Sequence, residues 1–285
     1  MTTDLLPTAG VLRAEALKAL SVRTWWALAI PAGLLAVMVN LFGGLFSSAV
    51  GGVDGTEGVP GILLASLAYA LSLTSVFAAL HGVVLATAEF RHRTVTTTYL
   101  LAGRVPTLLA KAAVAAGIGA GYALLALVLG LLAGLLGQGA APLPSVGGLV
   151  ALSGLGIGVC ALWAVLGVAL GTLIVNQAGA VVTLLVYVLA VENLVSLILR
   201  TGTEEGEVPT AMARVTSLLP ANAGDVALYD LPARELGGRF APSIVESLAG
   251  VAAPPPAWGA LLVLLVWAGA GIAVAWVVGG RRDVT

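Results

Sequence analysis

Six long apolar runs, each about 21 to 30 residues, alternate with shorter polar segments: 25–46, 61–88, 107–136, 148–175, 178–199 and 258–278. About 20 apolar residues coiled as α-helix cross a hydrocarbon core of about 30 Å. The pattern predicts an all-α, polytopic membrane protein with six transmembrane helices. Glycine is frequent inside the runs, and Gly117/Gly121, Gly130/Gly134, Gly154/Gly158 and Gly167/Gly171 have the i, i+4 spacing of close helix contacts. No internal repeat relates the two halves, which weighs against an inverted-repeat secondary transporter.

The polar segments predict smaller elements. Leu12, Ala16 and Leu20 recur at helical spacing, with Arg13, Glu15, Lys18 and Arg23 largely elsewhere around the helix. Residues 1–24 therefore read as a cytoplasmic segment with a short amphipathic helix lying in the membrane interface, with Trp25 and Trp26 at headgroup level. Spans one to five occupy 25–199 and enclose one sizeable inner loop, 89–106, in which Gly103 and Pro106 stop a helix. A short helix across the membrane surface fits that loop, whereas the connection at Asn176 and Gln177 is too short for structure. Segment 200–257 opens with Glu204, Glu205 and Glu207 and continues as apolar clusters broken by prolines, which suits short helices over the outer face of the bundle. Span six and a short cytoplasmic tail complete the chain at 258–285.

Charge placement predicts orientation. With the amino terminus inside, nine Lys and Arg fall in inner segments, Lys111 counted among them, and four in outer ones, all in the long outer segment. Both termini are then cytoplasmic and the protein sits in the plasma membrane. The composition agrees: 59% hydrophobic residues, 9% charged and a mean hydropathy of +1.06, against about 25% charged in a soluble domain. The single Cys160 excludes an intramolecular disulfide and reads as a small packing residue.

Catalytic chemistry is hard to place. A Walker loop needs Gly before Lys, and Lys18 and Lys111 follow Leu17 and Ala110. His81 and His92 form no metalloprotease pair, so an intramembrane enzyme lacks a site and no metal or cofactor is expected in this chain. Two ionisable residues fall at membrane depth, His81 in span two and Glu192 in span five. Such groups face a bundle interior or a wet cavity. Both are candidates for a substrate path, and both have a structural alternative: a hydrogen bond from Glu192 to Asn193, Ser196 or a partner helix, and for His81 a polar patch with Ser72, Thr74 or Ser75.

Three motifs in order add a family resemblance. Arg13-Ala-Glu15-Ala-Leu-Lys18-Ala-Leu-Ser21-Val-Arg23-Thr-Trp25-Trp26 opens the chain. Ala88-Glu89-Phe90-Arg91-His-Arg93-Thr94, followed by Gly103-Arg104 and Ala110-Lys111, comes after span two. Ser217-Leu-Leu-Pro220-Ala-Asn222-Ala-Gly224 lies in the last outer segment. In this order they resemble the membrane subunits of type-2 ABC exporters, especially actinobacterial ones. The resemblance implies a permease that lines a translocation path with a second permease, identical or not, above two copies of an ATP-binding subunit that hold ATP and Mg. It implies that 89–106 is the coupling region, with Glu89, Phe90, Arg91, Arg93 and Thr94 beside Glu15 and Lys18 transmitting force. The partners so implied are those subunits and the lipid bilayer, with no nucleic acid. The chief rival is a membrane scaffold or sensor that binds a cytoplasmic partner and transports nothing.

Overall fold

The computed structural model describes residues 7–54, 60–92, 94–139, 143–201 and 209–281. All regular structure among them is helical, and six helical segments are long and apolar enough to cross a membrane. They are α2 (Thr24–Asp54), α3 (Pro60–Arg91), α5 (Arg104–Gln138), α6 (Val146–Ile174), a composite span, and α12 (Ala257–Arg281). The composite span runs through α7 (Gln177–Val186), one π-helical turn (Tyr187–Val191) and α8 (Glu192–Arg200). The chain is a multi-pass membrane protein.

Helix α1 (Ala9–Ser21) precedes the spans, its start capped by the Thr8 hydroxyl accepting from Val11 N–H. Its inward face differs from the one its apolar spacing suggests. Glu15 and Ala19 are buried, while Leu17 and Leu20 are exposed, so a charge leads the face that packs on α5. Between spans two and three lies α4 (Val95–Ala102). Gly103, at φ 78°, ends it, and Pro106 sits in the first turn of α5, where its missing N–H costs nothing. Two residues join α6 to α7, and the Asn176 side chain caps the new helix by accepting from Gly179 N–H.

Helix α3 is the central element, packed on α6, α2 and α5. Its crossing with α6 is backbone against backbone: a Cβ on Gly82, Gly167 or Gly171 would come closer than 3.0 Å to the opposite helix. The predicted glycine pairs separate on this test. Gly167/Gly171 and Gly130/Gly134 face neighbours closely, Gly117/Gly121 and Gly154 face open space, and Gly158 has only the Leu261 side chain, at 3.3 Å.

On the far side from α1, residues 209–256 hold α9 (Ala211–Val215), α10 (Pro220–Gly237) and α11 (Ala241–Ala249). Helix α10 packs between α3 and α12, and Ser72 on α3 donates to its Asp225 at 2.5 Å. The acidic opening of segment 200–257 lies outside the described residues.

Candidate functional site

Four charged side chains meet where α1, the last turn of α3 and the second turn of α5 converge. Lys18 Nζ lies 2.5 Å from Glu15 Oε1 and 2.7 Å from Glu89 Oε1. Lys111 Nζ lies 2.8 Å from Glu15 Oε2 and 3.3 Å from Glu89 Oε2. Each ammonium bridges both carboxylates, and each carboxylate gives one oxygen to each ammonium, so the ring closes on itself with no net charge. Glu15, Glu89 and Lys111 are buried and Lys18 is 43% exposed. Two carboxylates this deep are tolerable only as a paired set, because an isolated buried ion loses several kcal/mol of hydration.

Neighbouring elements are tied to the ring or to one another. The Thr98 hydroxyl on α4 donates to Glu89 Oε1 at 3.1 Å. Arg104 donates to the Gly279 carbonyl at 2.9 Å, joining the start of α5 to the end of α12, and its guanidinium lies 5.7 Å from the Tyr99 ring centre. Tyr122 on α5 donates to the Trp25 carbonyl, and the Trp25 indole donates back to Leu20 of α1 at 3.0 Å. Burial works against the charge of Lys18, but hydrogen bonds and attraction from Glu15 and Glu89 outweigh it and raise its pKa. That contribution to stability is complete below the ordinary lysine value and is lost as pH rises through the raised one.

The residues singled out for coupling therefore divide. Glu15, Lys18 and Glu89 come together inside. Phe90 is half-buried and Arg91 exposed, lining an open groove of about 690 Å³ with Ile174, Asn176 and Val181, where Arg91 donates to Gln177 at 3.3 Å. Thr94 is exposed beside them, and Arg93 lies outside the described residues. Leu100 and Leu101, at the end of α4, are 82% and 84% exposed. Lys111 corrects the sequence account: instead of belonging to an inner segment it stands inside the third span, and it completes the ring to which Thr98 is attached. A cation four residues into an apolar run, beside acids that need a partner, was the available signal.

The two intramembrane candidates have different surroundings. Glu192 follows the π-helical turn and reaches the first turn of α10, where Oε2 accepts from Ala221 N–H at 3.0 Å and Oε1 from Asn222 N–H at 2.7 Å. The Tyr187 hydroxyl is a further donor, and the Asn222 amide donates to Ser196 Oγ and the Thr216 carbonyl. The carboxylate thus caps a helix from a neighbouring one, satisfying N–H groups that α10 itself leaves orphaned. Glu192→Gln retains one acceptor and points an amide donor at an N–H. It is expected to cost about 1–2 kcal/mol, and Glu192→Leu more. Thermal unfolding of the purified variants checks this order; a Gln variant of unchanged stability that binds no cationic substrate would return Glu192 to the substrate path.

His81 does not join the polar patch expected of it. Ser72 turns to Asp225, Thr74 to the Ala70 carbonyl and Ser75 to the Ser72 carbonyl. Both His81 nitrogens are buried without a hydrogen-bond partner, and the ring stands edge to face with Tyr122 at 5.9 Å. Neither a family model nor a curated protein matches this chain.

Proposed function

We propose that the chain is the permease subunit of an ATP-driven exporter of the type-2 ABC class, working with a second permease and with separate ATP-binding subunits. The observation that carries this reading is the closed ring of Glu15, Lys18, Glu89 and Lys111. It clamps α1, the end of α3 and the start of α5 together, and Thr98 adds α4. A push on α4 then moves the ends of two spans as one body, as force transmission from a cytoplasmic motor requires. The exposed Leu100, Leu101, Arg91 and Thr94 beside half-buried Phe90 supply the surface on which the motor docks. In this reading that end is cytoplasmic, the membrane is the plasma membrane, α1 is the connecting helix and α4 the coupling helix. ATP and Mg are bound by the partner, since this chain has no phosphate-binding loop.

ATP-driven closure of the two motor subunits pushes α4, and the clamped span ends rock the bundle toward an outward-open path. A non-transporting scaffold would use the same surface for a partner without ATPase activity. The test is Phe90→Ala and Arg91→Glu in the assembled complex. Each is expected to weaken assembly or to uncouple hydrolysis from export by about tenfold, since truncating an interface anchor costs above 1 kcal/mol. Normal assembly and export by both variants would place the docking surface elsewhere.

A further inference from the structure

A cavity of about 440 Å³ lies next to the charged ring, within the size of small-molecule sites. Its long wall is one stripe of α3, His81, Val84, Leu85, Ala88 and Arg91, with His92 just past the helix end. From His81 to Arg91 the helix rises about 15 Å. Val22 and Thr24 close one side, Lys111 and Thr98 another, and Gln177 stands at the rim.

The two ends differ in chemistry. At the rim the ring charges cancel, so Arg91 is the cation that lacks a carboxylate among the described lining residues. At the floor stands His81, 2% exposed, with donor and acceptor both unmatched. An orphaned buried polar group costs about 1–3 kcal/mol. Between the ends Val22, Val84, Leu85 and Ala88 supply an apolar wall, and Lys18, Glu89 and Lys111 of the neutral ring, with Thr98, line the cavity beside it.

We infer that this shaft is a binding site for a single-chain amphiphile with an acidic head, the head at Arg91, the chain along Val84, Leu85 and Ala88, and a hydroxyl or carbonyl at His81. The match lies in the order of the chemistry: cation, apolar wall, and an imidazole lacking a partner. The inference does not rest on the exporter reading, because it concerns binding by this chain alone.

The probes are 12-hydroxydodecanoate and dodecanoate, titrated calorimetrically into the full chain in phosphatidylcholine nanodiscs, with empty nanodiscs as blank. An extended twelve-carbon chain matches the distance from rim to floor. The hydroxy acid is expected to bind about five- to tenfold tighter, the size of one net hydrogen bond. Bilayer partition favours the opposite order. His81→Leu should erase the preference, while Arg91→Gln weakens both acids and leaves their ratio unchanged. If His81→Leu does not fold, Ala88→Phe, which fills the shaft, should abolish binding of both. Equal affinities in the unmodified chain, or a preference that survives His81→Leu or Ala88→Phe, would overturn the inference. No ATP or partner enters the experiment, so its failure would leave the exporter proposal standing.

Discussion

Gly167→Val is expected to prevent the bundle from assembling. A side chain at Gly167 meets the Ala79 carbonyl and the Val83 backbone of α3, and Gly82 meets the α6 backbone at Ala164 in return. Neither obstacle is the end of a flexible side chain, so the two helices must move apart along their whole crossing. Overpacking ordinarily costs about 1–3 kcal/mol, and separating the central helix pair places this substitution at or above that range. Gly117→Val is the matched control: nothing lies within 4 Å of a Cβ there, so the change should stay within about 0.5 kcal/mol. Size-exclusion profiles after a temperature series would distinguish the two. Equal stability would mean that α3 and α6 do not cross on their glycines.

Lys111→Ala is expected to destabilise the chain by about 3–5 kcal/mol, the usual result of stranding a buried partner. Glu15 and Glu89 would then face each other with only half-exposed Lys18 between them. Lys18→Ala should cost less, because water can approach its place in the ring. The charge-balanced double change Lys111→Met with Glu15→Gln should recover part of the loss, since it removes one charge of each sign. Chemical unfolding in detergent measures the series. A double variant no better than Lys111→Ala would show that packing at Lys111, rather than charge balance, sets the cost.

The spans were legible because hydrocarbon thickness imposes a long apolar run that nothing else in the chain imitates. The structure shifts their ends by a few residues, mostly outward: α5 begins at Arg104 rather than 107, since Pro106 fits a first turn, while α6 stops at Ile174, one residue short of its run. Glycine spacing was ambiguous for a physical reason. Every helix with small residues shows i, i+4 pairs, but only the side turned to a neighbour matters. Gly119, outside any of the four pairs, meets the Cys160 carbonyl, while Gly117 and Gly121 beside it meet nothing.

The site was legible in part. Glu15, Lys18 and Glu89 were singled out, but the ring also needs Lys111, which lies far from all three in sequence and carries its charge inside an apolar run. Apolar spacing on α1 pointed away from Glu15 because a helix wheel cannot show that a carboxylate will find two ammonium groups. For Glu192 the hydrogen-bonding need was predictable and the partner was not: it is the backbone of α10, which carries no side-chain signature.

The most direct measurement of the exporter proposal is the ATPase activity that accompanies the tagged chain when it is purified from its native membranes in mild detergent. The account predicts vanadate-sensitive hydrolysis residing in a separate subunit, present beside the unmodified chain and either reduced or uncoupled from export in preparations carrying Arg91→Glu. A chain that purifies intact and folded with no ATP-hydrolysing partner would contradict it.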